Sequence, residues 1–355
     1  MKSLILNRNL QGWFLVLFLT FISLALQKHL VWMSKYPTDL IIPFADWLNF
    51  VMEILIKHLG WFFLGISWLL EWPIKGAQWI LHSLPWIVIV FLICLTAYIA
   101  SGWRLTLFSI SATIYMVIIG YWEESMNTLA LVVISVPMAI IIGFGIGIWG
   151  FYSKKAEKII MPILDIFQTV PTFAYLLPIL LLFGFGTVVG LIASILYSFP
   201  PMVRNTILGL KRVPAEIIES GIMSGATSWQ LFWQVRVPSS LRQLLLGVNQ
   251  STMAALSMVI IAAIIGGTAD IGWEVLYYIR KAEVGQSLVV GIVIALMAIV
   301  IDRITSGLAL KSEIYSKHRQ NRFSQYKFLV IAASGSVVFF ILSKAFLVLE
   351  DWPYH

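Results

Sequence analysis

The chain has 355 residues, of which 60% are apolar and only 12% charged, and it carries a formal net charge of +7. A soluble domain carries about 25% charged residues, so this composition excludes an ordinary soluble enzyme and points to many membrane crossings. The single cysteine, Cys94, excludes a disulfide framework and a cysteine-built metal site, and His29, His58, His82, His318 and His355 lie scattered with no two at ligand spacing.

A bilayer core needs about 20 apolar residues per helix. In chain order the apolar runs predict spans near 12–33, 84–101, 103–121, 126–150, 162–183, 187–205, 240–265, 286–310 and 327–348. The fold class is all-α, a polytopic transmembrane bundle of about nine spans. The first run ends in Lys28-His29 and Trp32 without a small-residue cleavage pattern, so residues 1–33 read as an anchor helix and not a signal peptide. Residues 34–83 break the pattern: their apolar runs are interrupted by Pro43, Glu53, Lys57-His58, Glu71 and Pro73. Trp47, Trp61, Trp68, Trp72 and Trp79 recur through them, and indoles favour the headgroup level, so this segment reads as amphipathic helix on the outer surface. Residues 84–125 supply two accessory helices, and 311–355 a basic linker with one further span.

Orientation follows from lysine and arginine. With the N-terminus in the cytoplasm, 17 of the 24 basic residues fall on the inner side, and only Lys28, Lys35, Lys57, Lys75, Arg280, Lys281 and Lys344 stay outside. That bias obeys the positive-inside rule, so the positive charge is topological and not a nucleic-acid footprint. Asp270, Glu274, Arg280, Lys281 and Glu283 then decorate an outer loop where a receptor could dock.

Polar residues inside spans are few. Asp165, Gln168, Thr169 and Thr172 stand beside Pro162, Pro171 and Pro178, and three prolines so close predict a kinked or broken helix. Asn249, Gln250, Ser251 and Thr252 cluster in a later span. Such side chains either line a path or join helices. Gln168, Thr169, Thr172, Asn249, Ser251 and Thr252 are the candidate path residues.

Gly145-x-Gly147-x-x-Gly150 matches a dinucleotide fingerprint, with Asp165 downstream, but it closes an apolar run with no βαβ unit around it. Small residues there fit close helix approach, as Gly143 and Gly147 would allow. No G-x4-G-K-[ST] loop occurs, so ATP has no phosphate cradle of that kind in this chain.

The most informative stretch is Lys211 to Arg242, a polar cytoplasmic loop. Pro214 suits the start of a helix, and Glu216 and Glu219 oppose its positive dipole end. Gly225 ends that helix, Thr227 or Ser228 caps the next, and Pro238 stops it. Trp229, Leu231, Phe232, Trp233 and Val235 make an apolar segment that wants a partner surface. The spacing Glu219-Ser220-Gly221-x3-Gly225-x9-Val235-x-Val237-Pro238 closely resembles the "EAA" loop of ABC-importer permeases. Ser220 and Gly221 stand for two alanines there, and Gly221 softens the helix by about 1 kcal/mol relative to Ala.

The resemblance extends to IPFADW at 42–47, KIIMPILDIFQTVPTFAYLLPILLLFGFG at 158–186, FPPMVRNTILGLKRVPAE at 199–216 and GVNQSTMAALSMVIIAAIIGG at 247–267. These resemble the betaine/choline-type ABC permeases of the ProW kind. That family implies a MetI-like core, here 126–310, in the bacterial inner membrane and in contact with membrane lipid. It also implies two permease copies forming a homodimer, two ABC ATPase subunits and an extracytoplasmic substrate-binding protein. Glu219, Ser220, Gly221, Gly225 and Pro238 would couple to the ATPase, and ATP would bind only on that partner. The chain itself would be no enzyme and hold no cofactor. The small substrates would be quaternary-ammonium osmolytes such as glycine betaine, proline betaine or choline. The nearest alternative is an ABC permease for an amino acid or sulfonate; an ion-coupled secondary transporter would show paired intramembrane carboxylates or inverted repeats, and neither is evident.

Overall fold

The computed structural model describes residues 2–26, 41–266, 270–317 and 322–345, and every element among them is helical. The chain forms two units, residues 1–57 and 58–355. The first holds α1 (Lys2–Leu26) and the start of α2 (Phe44–Ser83). The rest of the first predicted span, with Lys28, His29 and Trp32, lies outside the described residues.

The second unit continues α2 and adds α3 (Trp86–Ser101), α4 (Trp103–Ile119), α5 (Trp122–Tyr152), α6 (Lys154–Thr169), α7 (Thr172–Phe183) and α8 (Thr187–Lys211). After the 211–240 loop come α12 (Leu241–Gly266), α13 (Ile271–Arg280), α14 (Val284–Lys317) and α15 (Arg322–Ala345). Five described helices are long and apolar enough to cross a membrane: α5, α8, α12 and α14, which answer to predicted spans, and α2, which the sequence reading laid on the surface instead; α6 and α7 make a sixth if they are one span. The other predicted spans appear as shorter apolar helices: α3 and α4 have 16 and 17 residues, about 25 Å at 1.5 Å per residue.

The centre of this unit is α8, which packs along α12 and α5. Glycine makes the α5–α8 approach close. A Cβ on Gly143 would lie 2.7 Å from the Met202 side chain, and one on Gly147 would lie 2.5 Å from Thr206. Leu131, Leu191, Val189, Met258 and Val259 fill the core between α5, α8 and α12.

Three boundaries differ from the sequence reading. Residues 151–161 form no loop: α5 runs to Tyr152, only Ser153 is extended, and α6 starts at Lys154. Ala156, Ile160 and Leu164 are buried along one face of α6, so the lysines there decorate an amphipathic helix. Residues 34–83 contain one continuous 40-residue helix from Phe44, with Pro73 inside it. The basic tail is helical to Lys317 and again from Arg322. The break expected from the prolines falls at Pro171, where α6 and α7 meet at 99°.

Candidate functional site

The loop after α8 folds as a helical hairpin. Pro214 stands at the N-cap position of α9 (Ala215–Met223), one residue before the first turn. Gly225 then takes φ +78°, a left-handed conformation that only glycine adopts cheaply. Open space surrounds the place of its Cβ, so the demand at this residue is conformational. Thr227 next forms a reciprocal capping box with Gln230 at the start of α10 (Ser228–Gln230). A π-helical stretch, Leu231–Arg236, and α11 (Val237–Ser239) complete the second limb. Pro238 was expected to stop this limb; it sits inside α11, and the break falls at Ser240.

Gly221 proves to be a packing residue. A Cβ there would meet Leu231 at 2.8 Å and Val235 at 3.2 Å, so its absence lets the two limbs of the hairpin close. Glu219, Ser220, Gly225 and Pro238 are exposed. Ile222, Met223 and Trp229 are exposed beside them, with Met223 at 89%. The inward side is aromatic: Phe232 is buried, its ring 5.8 Å from Tyr152, while Trp233 lies 6.1 Å from Phe144. The Arg236 guanidinium stands over the Phe151 ring at 5.1 Å. At the other end of the loop, Lys211 Nζ donates to both Glu157 carboxylate oxygens at 2.6 Å.

The polar residues inside the helices form two separate groups. In the first, Thr169 donates to the Asp165 carbonyl at 2.8 Å, Gln168 is exposed, and Thr172 opens α7 across the break. Asp165 itself pairs with Arg204 of α8 at 2.5 Å. In the second, Ser306 of α14 donates to Asn249 Oδ1 at 2.7 Å, and Thr252 bonds back to its own helix at Val248. Ser251 is fully buried, its hydroxyl without a hydrogen-bond partner among the described residues. Asn249 also lines a cavity of about 350 Å³ with Arg242, Gln243 and Ser306. Among the described residues no hydrogen bond joins the two groups.

Composition alone did not reveal a third group. Asn205 on α8 donates to the Pro201 carbonyl and to Gln250 Oε1, both at 2.8 Å, and accepts from Gln243 Nε2 at 2.5 Å. These residues join α8 to α12 through partners 38 and 45 positions apart. The reading of the 270–283 loop also needs correction. Asp270 does not decorate the surface: it is 1% exposed, and its Oδ1 has no partner among the described residues. Burial pushes its carboxyl up to about 6.

No group of three or more His, Cys, Asp or Glu residues is placed to hold a metal among the described residues. The sequence profile of the family described as "Binding-protein-dependent transport system inner membrane component" matches residues 135–311. The glycine betaine transport system permease protein OpuAB of Bacillus subtilis is 36% identical over 272 residues, covering 77% of this chain and 96% of that protein. The glycine betaine/proline betaine transport system permease protein ProW of Escherichia coli is 36% identical over 279 residues, 79% of this chain and 78% of that protein. The trimethylamine N-oxide transport system permease protein TmoV of Ruegeria pomeroyi is 30% identical over 337 residues, 90% of this chain; the chain spans 50% of that relative's length.

Proposed function

The chain belongs to the family of binding-protein-dependent transport system inner membrane components, on its glycine betaine/proline betaine permease side, and from that premise we propose that it forms the membrane path of an ATP-driven importer for methylated-ammonium osmolytes. It is a transport subunit and not an enzyme. ATP binding and hydrolysis belong to ABC ATPase subunits, the solute arrives on an extracytoplasmic binding protein, and two copies of this chain enclose the path. The N-terminus lies in the cytoplasm of a bacterial cell.

The hairpin at 215–239 carries this reading. Glu219, Ile222, Met223 and Trp229 stand exposed around the Gly225 turn, while the other side of the hairpin is bound to α5 by aromatic contacts. An exposed apolar tip with an acidic neighbour, rigidly backed, suits docking in a groove of a partner protein. ATP-driven closure of the ATPase pair would then move the hairpin and rock the bundle from inward-open to outward-open. We place the inner end of the path at the Asn249 cavity, where Asn249, Arg242 and Ser306 offer polar contacts to a small zwitterion.

The test is uptake of labelled glycine betaine by cells lacking their own systems, with and without the cognate ATPase beside this chain and the binding protein. Uptake that needs the ATPase supports the reading; uptake without it overturns it. Gly225→Trp in correctly inserted protein should abolish uptake, because the left-handed turn and the docking tip are both lost; normal uptake would remove the hairpin from the coupling role. Trimethylamine N-oxide is the second reading, favoured by the 90% of this chain that aligns with the trimethylamine N-oxide permease. Competition between the two labelled solutes separates them.

A further inference from the structure

Both ends of the hairpin hold the same short stretch of chain. Before the hairpin, Lys211 grips Glu157 in the first turn of α6. From its second limb, Phe232 meets Tyr152, and Arg236 covers Phe151, the last two residues of α5. Between these contacts lies Ser153, the single extended residue that separates two helices, with φ −124° and ψ 108°. Its hydroxyl accepts from Ala156 N at 3.2 Å and so caps α6. A one-residue joint with a helix on each side is a hinge in the mechanical sense: few dihedrals absorb the change while both helices stay rigid.

We infer that the Ser153 joint is the first element inside the bundle to receive the hairpin's motion, with Tyr152, Glu157 and Lys211 as its positioning residues. The far end of α6 then matters: it carries Gln168 and Thr169 at the 99° break, so rotation at Ser153 displaces the candidate path residues. Asp165–Arg204 is the second tie between α6 and α8, and it lies nearer the break. The Glu157–Lys211 pair is partly exposed, 24% and 43% by side chain, and such pairs contribute little to stability in solvent. Their geometry therefore fits transmission better than folding.

This inference rests on the importer reading above, and the test separates the two. The full chain is reconstituted in liposomes with its ATPase and binding protein, and uptake and ATP hydrolysis are measured together. Glu157→Lys and Lys211→Glu should each lower solute moved per ATP by about tenfold, within the range of such couplings, while hydrolysis holds. The double reversal should restore the ratio. Tyr152→Ala should uncouple in the same way and Tyr152→Phe should not. A parallel fall of uptake and hydrolysis, or normal uptake by the single reversals and Tyr152→Ala, overturns the inference. Spin labels at Gly145→Cys and Lys158→Cys, in a Cys94→Ser chain, read the joint directly; the Gly145 site has open space. Their separation should change when the ATPase binds ATP. No change sinks the joint even if uptake needs ATP, and a change without ATP-dependent uptake sinks the importer reading instead.

Discussion

Helices α2 and α8 have comparable hydropathy over a membrane-length window, yet two-thirds of that window is buried in α8 and none of it in α2. Water would send both inward, but in a bilayer lipid tails are as apolar as leucine, so apolarity does not select the interior. What distinguishes α8 is its small and polar residues. Gly190, Ser194, Ser198, Asn205, Thr206 and Gly209 are all buried. Ser194 donates to the Ala255 carbonyl on α12 at 3.2 Å, and the Asn205 network ties the same two helices. On α2 only Ile74 is buried, and Trp61, Trp68, Trp72 and Trp79 are between 61% and 75% exposed. Small size and hydrogen bonding mark the inside of this protein, and large aromatics mark the outside.

The largest expected effect comes from spoiling a close approach. Gly147→Leu puts a branched side chain where even a Cβ falls 2.5 Å from Thr206 and 3.1 Å from the Val203 carbonyl. The cost is about 3 kcal/mol or more, read as loss of folded protein on heating in detergent. Trp68→Leu on α2 is the control and should leave the melt within about 0.5 kcal/mol of the parent. Equal melts would break the comparison.

An interior polar residue has two signs, according to its partners. Asp270 is buried, with Oδ1 unpartnered, and holds its proton to about pH 6 instead of 3.8. The folded state therefore binds more protons than the unfolded state between those values. Stability should fall as pH rises through that window and level off above it. Asp270→Asn should abolish the slope and raise stability at neutral pH by something on the order of 3 kcal/mol. A pH-independent parent melt between 4 and 7 would refute this. Asn205 is the opposite case: Asn205→Ala loses the bonds to Gln250 and Gln243 and should destabilise by about 1 to 2 kcal/mol, with a double-mutant cycle to Gln243→Ala showing non-additivity.

The hairpin was legible in the sequence because its signals are local: Gly225 for the turn, Thr227 or Ser228 for the cap, prolines near both ends; the reciprocal partner Gln230 was not read. The broken helix was legible for the same reason, since three prolines within 17 residues announce a break, although Pro162 and Pro178 stay inside helices and only Pro171 stands at the bend. The α5–α6 junction was not, because Lys154, Lys155 and Lys158 look like a loop until Ala156, Ile160 and Leu164 are seen to share a buried face. Gly221 was read as a weak helix former when its neighbours across the hairpin decide its role. Asp270 was read as surface because the stretch around it is polar; the missed signal is Thr128 on α5, whose hydroxyl accepts from the Ile271 amide at 3.2 Å and draws that turn inward.

The smallest effect in energy decides where α2 lies. Trp61, Trp68, Trp72 and Trp79 are spaced seven, four and seven residues apart, which at 100° per residue confines them to an arc of about 40°. Phe63, Ser67, Leu70 and Ile74 occupy the opposite side, where the Ser67 hydroxyl donates to the Phe183 carbonyl at 2.9 Å and Phe63 packs edge-on against the Phe183 ring. If α2 crossed the bilayer, this stripe of about 27 Å would carry Trp68, Glu71, Trp72 and Lys75 to the middle of the hydrocarbon, where the ion pair at 2.8 Å gains nothing that repays its desolvation. If α2 lies along the outer face, all four indoles share the headgroup level that suits them. A nitroxide placed in turn at 61, 68, 72 and 79 in a Cys94→Ser chain measures this by its accessibility to oxygen against a water-soluble nickel complex. Equal depth at the four positions is expected, with melts unchanged. Maximal depth at 68 and 72 would make α2 a span and reverse the side on which every preceding residue lies.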